Sequence, residues 1–317
     1  MTKKVLITSR SFGKINDDPF NILHDAGFET LKLEGQFSPE EFEDQVVQSD
    51  ALIIGAHDFP KEVLRKASKL KIICKHGAGL DNIPLETAKE LGIIVCNAPD
   101  TNSNSVADLV FGLMLNVARG ITLTNKLVDL GKWQTNIGVD VNNKNLGIFG
   151  FGAIGKCVAK RANGFNMKVW VYDPFVKQLP EEFKDYVCLT DKETVLKKSD
   201  FLTVHLPLNE ETRNIISDVE MKIMKKGSYI VNTARGGIVN ELSLYNNLKS
   251  GHLAGAALDV TEQEPINRDN PLLGCDNVII TPHIGMYSKE AISAVGLICA
   301  NNIANFERGD QLKHQVC

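Results

Sequence analysis

Leu146-Gly147-Ile148-Phe149-Gly150-Phe151-Gly152-Ala153-Ile154-Gly155 is the stretch on which the reading of this chain turns. An apolar run leads straight into a G-x-G-x-x-G, and a helical pattern follows over residues 156–163. A buried strand, a tight turn and a helix in that order make a cradle for a pyrophosphate. Gly150 permits the turn, Gly152 lets a phosphate reach bare backbone, and Gly155 lets helix and strand pack closely. The helix N-terminus adds N–H donors and the positive end of its dipole. Ala153 and Ile154, between the last two glycines, belong to the same cradle. The next apolar run, 169–172, ends at Asp173 and is followed by Pro174 and Phe175 rather than by an arginine. A carboxylate there accepts hydrogen bonds from ribose hydroxyls and repels a 2′-phosphate, which points to NAD rather than NADP.

Working outward, short β-branched runs recur at 5–8, 51–54, 72–74, 93–95, 201–204, 229–231 and 278–280, separated by helical stretches. Continuous apolar strands alternating with helices predict parallel sheets covered on both faces. The expected fold is α/β, with two doubly wound parallel-sheet domains of the Rossmann or flavodoxin kind. Helical patterns at 103–119 and about 288–306 are each long enough to pass between domains. The chain is therefore expected to leave its first domain, build the second, and return.

The composition narrows the function. The 317 residues are 43% apolar and 23% charged, as in ordinary globular proteins, with a formal net charge of -4. That is the wrong sign for gripping a phosphate backbone, so no nucleic-acid partner is expected. Seven cysteines are scattered without a C-x-x-C pair, which predicts reduced, packed thiols in a cytoplasmic protein and no metal site. The apolar run near the N-terminus is too short for a signal peptide, and 106–118 is too short and too interrupted to span a bilayer, so no membrane association is expected. Cys317 is the last residue and forms no prenylation box.

Three charged groups follow the glycine motif, each in a loop of the kind where α/β folds place ligands. Arg235 lies in Asn232-Thr233-Ala234-Arg235-Gly236-Gly237, just past a strand, and its planar fork matches a carboxylate. Glu264 precedes Pro265, which favours an extended conformation. His283 lies in Thr281-Pro282-His283-Ile284-Gly285, beyond the strand at 278–280. Taken singly, each could be solvated surface or packed core. Together they supply what hydride transfer at an alcohol carbon needs: a carboxylate anchor (Arg235), an acid/base (His283), and a partner that orients the base and favours its charged form (Glu264).

The ordered set Gly150-x-Gly152-x-x-Gly155, Asp173, His205-x-Pro207-Leu208, Ala234-Arg235-Gly236-Gly237, Asp259-Val260, Glu264-Pro265 and Pro282-His283-Ile284-Gly285 resembles the D-isomer-specific 2-hydroxyacid dehydrogenases. Gly77-Ala78-Gly79-Leu80-Asp81-Asn82 and Asn104-Ser105-Val106-Ala107-Asp108 extend the similarity over nearly the whole chain. Within that family it looks most like the short phosphoglycerate-oxidising members of serine biosynthesis. The resemblance implies a substrate domain split between 1–100 and 286–317 and an NAD domain at 101–285. It implies that His205, Pro207, Thr212, Thr233, Ala234, Asp259 and Gly285 line the cofactor groove, with Asp259 on the nicotinamide carboxamide. It implies that the substrate, a small 2-hydroxy or 2-oxo acid, meets Lys75, Gly77, Ala78 and Gly79 as well as Arg235. It implies a homodimer built through the NAD domain, and closure of the cleft on binding.

Departures bear on the substrate. Where phosphoglycerate enzymes often carry an arginine, this chain reads Gly55-Ala56-His57-Asp58, leaving Lys75 and His57 as weaker receivers of a phosphate. Met286-Tyr287 makes a bulkier lining after Gly285 than is usual. The regulatory C-terminal domains of longer phosphoglycerate enzymes are absent, so no amino-acid feedback site of that type is expected. Glyoxylate or hydroxypyruvate reduction and D-lactate chemistry would use the same Arg–Glu–His set. From another class, an NAD-sensing corepressor-like binding module would keep the groove without turnover.

Overall fold

The structure, a computed structural model, describes residues 2–33, 35 and 37–317; Met1, Glu34 and Gln36 lie outside the described residues. The chain divides into two compact units, Met1–Asn102 with Met286–Cys317, and Ser103–Gly285.

The first unit opens with β1 (Lys3–Ile7), α1 (Asp18–Asp25), β2 (Phe28–Lys32), α2 (Pro39–Val46) and β3 (Ala51–Ile54). It continues through α3 (Lys61–Lys66), β4 (Ile72–Lys75), α4 (Leu85–Glu90) and β5 (Ile94–Cys96). The second unit runs α5 (Ser103–Arg119), α6 (Ile121–Asp129), β6 (Asn145–Phe149), α7 (Ala153–Gly164), β7 (Lys168–Tyr172), β8 (Val187–Leu189) and α8 (Lys192–Lys198). It then adds β9 (Phe201–Val204), α9 (Asp218–Ile223), β10 (Ser228–Asn232), α10 (Glu241–Lys249), β11 (Leu253–Leu258) and β12 (Val278–Ile280). Finally α11 (Lys289–Arg308) returns to the first unit, where it packs against α1 and β4.

The first unit's sheet has strand order β2-β1-β3-β4-β5, with every pairing parallel. Side chains alternate across a strand, so consecutive apolar residues feed opposite faces. Val5, Ile7 and Ile53 enter the core shared with Val295, Cys299 and Ile303 of α11, while Leu6, Leu52 and Ile54 enter the core shared with Phe42 and Leu64 of α2 and α3. That two-sided burial explains why β1, β3 and β4 lack the alternating pattern of a half-exposed sheet.

The second unit's sheet has order β12-β11-β10-β9-β6-β7-β8, again wholly parallel. The order reverses between β6 and β9, and the crevice outside the carboxyl ends of strands at such a reversal is where doubly wound sheets bind ligands. Three strands depart from the sequence reading. β2 (FETLK) alternates apolar with charged residues, β8 is a three-residue edge strand, and β11 (LAGAAL) has no β-branched residue. In β11 the small residues have a packing cause. A Cβ on Gly255 would lie 2.8 Å from Val117 of α5 and 2.9 Å from the Asn277 carbonyl. α7 also begins at Ala153 rather than Lys156, so its N-terminus opens directly on the glycine turn.

No single helix among the described residues is long and apolar enough to cross a membrane. α5 and α6 reach the length and composition only as a pair bent by 62°, and much of α5 is core.

Candidate active site

The candidate residues of the second unit gather along the carboxyl edge of its sheet. Along that edge the order is His283 after β12, Asp259 after β11, Arg235 after β10, His205 after β9, Gly150 after β6 and Asp173 after β7. Three strand spacings, about 14 Å, separate the Asp173 strand from the Arg235 strand. A dinucleotide laid across the reversal with its adenosine at β7 therefore presents its reactive end near β10.

The glycine turn fits a pyrophosphate. Gly150 has φ +92°, and a Cβ there would lie 2.5 Å from the His205 carbonyl. A Cβ on Gly155 would lie 2.2 Å from the Gly150 carbonyl, whereas one on Gly152 would meet nothing within 4 Å. The first and third glycines are thus required by the fold, and the middle one leaves an open face at the start of α7. The Asp173 carboxylate accepts from the Phe151 N–H at 2.7 Å and from the Phe175 N–H at 2.9 Å, tying the acid to the turn. Thr233 Oγ1 and His205 Nδ1 are buried without a hydrogen-bond partner among the described residues, as polar groups waiting for a ligand would be. Desolvation pushes His205 down to about 3, so its ring is neutral at physiological pH. Thr212 is bonded within its own loop. Its hydroxyl donates to the Pro207 carbonyl at 2.6 Å and accepts from the Asn209 N–H, holding the Pro207–Thr212 turn closed.

At the other end, His283 Nδ1 meets Glu264 Oε2 at 2.8 Å. Burial alone would raise the Glu264 carboxyl. The His283 hydrogen bond and charge, the Thr261 N–H and the Arg235 charge outweigh it and hold the carboxyl below the ordinary range. His283 keeps 43% of its side chain accessible, which leaves Nε2 open to a reactant. Its backbone is left-handed, φ +54°, an uncommon conformation for a side-chain-bearing residue. Asp259, 1% exposed, holds it there. The His283 N–H donates to the Asp259 carbonyl, and the Asp259 carboxylate accepts from the Ile284 and Gly285 N–H groups at 2.8 Å and from the Thr281 hydroxyl at 2.5 Å. Asp259 is thus a structural clamp on the His283 loop, a part the sequence did not disclose. Asn232 does the same for the arginine loop: buried, it accepts from the Ala234 N–H and donates to the Arg235 carbonyl. Arg235 Nη1 donates to the Ala234 carbonyl at 2.7 Å. The Glu264–Pro265 peptide is cis.

In the first unit Lys75, at the end of β4, is buried, and its ammonium donates to the Gly55 carbonyl at 2.6 Å and to Asn82 Oδ1 at 2.7 Å. Gly77, at φ +149°, Ala78 and Gly79 follow it; Asn97 donates to the Ala78 carbonyl at 2.7 Å. His57 is tied by Nε2 to Thr8 at 2.8 Å and by Nδ1 to the Asp58 carbonyl, with its ring edge-on to Phe37 and Phe42.

This arrangement of turn, acid, arginine and histidine–glutamate pair defines a class, and residues 111–285 match the family model of the D-isomer specific 2-hydroxyacid dehydrogenase NAD binding domain. The chain belongs to that family. It is 40% identical, over 316 residues, to a D-3-phosphoglycerate dehydrogenase of Methanocaldococcus jannaschii, a match that covers 99% of this chain and 59% of that protein. It is 42% identical to a hydroxypyruvate reductase of Thermotoga maritima over 259 residues, 80% of this chain and 83% of the relative. Among solved structures, the TT0316 protein from Thermus thermophilus superposes with a TM-score of 0.91 at 32% identity, covering 99% of this chain and 100% of the other.

Proposed function

We propose that the protein is an NAD-dependent dehydrogenase interconverting a small D-2-hydroxy acid and its 2-oxo acid. The carrying observation is the 2.8 Å contact between His283 Nδ1 and Glu264, on the same sheet edge as Arg235 and the glycine turn. The cofactor would supply or accept the hydride at C2. The Gly150–Gly155 turn, Thr233 and Asp173 would hold it. Arg235 binds the substrate carboxylate through two parallel N–H donors and draws electron density from the adjacent carbonyl. His283, its Nδ1 engaged by Glu264, carries the exchangeable proton on Nε2. It gives that proton to the carbonyl oxygen in reduction and takes it from the hydroxyl in oxidation. His283→Ala should lower kcat by about 10²- to 10⁴-fold while NADH still binds. An intact rate would defeat the reading, and a wild type that reduces no 2-oxo acid would favour the binding-module alternative.

For the substrate, the phosphoglycerate relative supports D-3-phosphoglycerate and 3-phosphohydroxypyruvate. A specific observation favours an unphosphorylated 2-oxo acid such as hydroxypyruvate instead. Lys75 and His57, the residues expected to receive a phosphate, are both engaged by protein groups, and burial disfavours the charged form of His57. NADH oxidation with 3-phosphohydroxypyruvate, hydroxypyruvate, glyoxylate and pyruvate side by side separates the two by kcat/KM.

The second unit also supports self-association. No residue of α6 is buried, and Trp133 and Ile137 just beyond it are 90% and 98% exposed. Isolated apolar side chains on a surface are ordinary, but Ile121, Val128, Leu130, Trp133, Ile137 and Val139 all lie exposed within one short stretch of chain, which supports an interface. A homodimer through this face predicts that Trp133→Lys with Ile137→Lys yields a monomer by light scattering. A wild type that is already monomeric contradicts it.

A further inference from the structure

The loop that carries Glu264 is anchored from outside the site. Residues 262–265 and 267–269 are exposed and belong to no strand or α-helix; locally, the Thr261 N–H donates to Glu264 Oε1 at 3.2 Å and the Thr261 hydroxyl to the Gln263 carbonyl at 2.8 Å. Glu241, the first residue of α10, is buried beneath it. Its Oε1 accepts from the Glu262 N–H at 2.6 Å, and its Oε2 accepts from Asn270 Nδ2 at 2.6 Å. The Glu241 N–H in turn donates to Glu262 Oε1 at 3.1 Å. One carboxylate therefore holds the loop at both ends, with Glu264 between them. Its two oxygens serve two donors, one each, and an amide in its place would turn an NH2 donor toward one of them. The arginine loop rests on the same place. A Cβ on Gly236 would lie 1.8 Å from the Thr261 carbonyl oxygen and 2.8 Å from the Glu262 nitrogen, so backbone lies directly on backbone.

We propose that Glu241 is a positioning residue for the His283–Glu264 pair, fastening both ends of the 262–270 loop so that Glu264 meets the imidazole. It touches neither substrate nor cofactor, and acts through Glu264. The inference rests on the dehydrogenase reading for its kinetic consequence but not for its geometry.

The test is a double-mutant cycle on the full chain, with hydroxypyruvate and NADH. Glu241→Ala is expected to lower kcat about 10- to 100-fold, with NADH affinity within about twofold of wild type. In a Glu264→Gln background the same change should lower kcat less than about threefold, because the residue it positions is already disabled. Asn270→Ala breaks the fastening at the loop's far end alone. It should show a smaller loss with the same non-additivity, and it decides the matter if Glu241→Ala does not fold. Glu241→Gln, which keeps one acceptor, should recover part of the rate. The side-chain NMR signals of His283 should shift on Glu241→Ala in the direction they shift on Glu264→Gln, whether or not the enzyme turns over. A full rate loss repeated in the Glu264→Gln background, or His283 signals unmoved by Glu241→Ala, overturns the inference. A wild type that turns over no 2-oxo acid while those signals do shift overturns the dehydrogenase reading alone.

Discussion

At the scale of single residues, the site is a set of opposed pulls on carboxylates. Glu264 is half-exposed yet held below the ordinary range, with its own burial resisting and His283 prevailing. A carboxyl lowered in the folded state contributes stability that is present above its unfolded value and lost as pH falls through the lowered one. Removing the imidazole should therefore let the carboxyl rise: in His283→Ala, carbon-13 titration of Glu264 should give a higher midpoint than in wild type. An unchanged midpoint would mean the pair does not form in solution. Asp173 makes a second prediction. If, as proposed, its carboxylate faces the adenosine ribose, Asp173→Ala should lower the ratio of KM for NADPH to KM for NADH by at least about tenfold, a like-charge repulsion of that order being removed. In the sequence, Arg235 and His283 stand out by their loops just past apolar runs, and Glu264 by the proline that follows it. Asp259 as a clamp and Glu241 are not legible there, since a buried acceptor is recognised by what donates to it, and their donors lie more than twenty residues away along the chain; Asn232, whose donor is the nearby Ala234 N–H, reads only as part of the arginine loop.

At the scale of elements, the glycine turn and α7 carry the sharpest expectation. Gly155 has the Gly150 carbonyl oxygen where a methyl group would go, and backbone cannot rotate away as a side chain can. Gly155→Ala should cost about 1–3 kcal/mol of stability and at least about tenfold in NADH affinity, measured by denaturation and by fluorescence titration. Tolerance of alanine would show that the helix has room to slide from the strand. The strands themselves were readable where both faces are buried and β-branched residues abound, as in β3 or β9. β11 escaped notice for a physical reason. It lies under α5 so closely that its sequence is selected for smallness, and alanine and glycine carry no strand signature.

For the molecule as a whole, acid is the expected weakness. His76, 4% exposed, packs edge-on to Phe12 and against Gly296 of α11, and neither ring nitrogen is hydrogen-bonded to any of the described residues. Desolvation, reinforced by the Lys75 charge, pushes it down to about 4 from 6.5. A base depressed on folding leaves the unfolded chain the better proton binder between those values. The stability present above pH 6.5 is thus lost as pH falls toward 4, by about 3 kcal/mol for this one ring. His76→Leu, similar in bulk and without the nitrogens, should flatten that part of the pH dependence of urea unfolding between about pH 7 and 5. A slope identical to wild type would show that the ring is hydrated.

The chain has only two tryptophans, and they sit in opposite environments. Trp170 is partly covered and its indole N–H is bound to Asn145, whereas Trp133 is almost bare. The ultraviolet emission of the protein is therefore dominated at its red edge by one indole beside α6. Whatever settles on that face will turn the emission bluer and shield it from acrylamide, so a dilution series in a spectrofluorimeter reports assembly without any label.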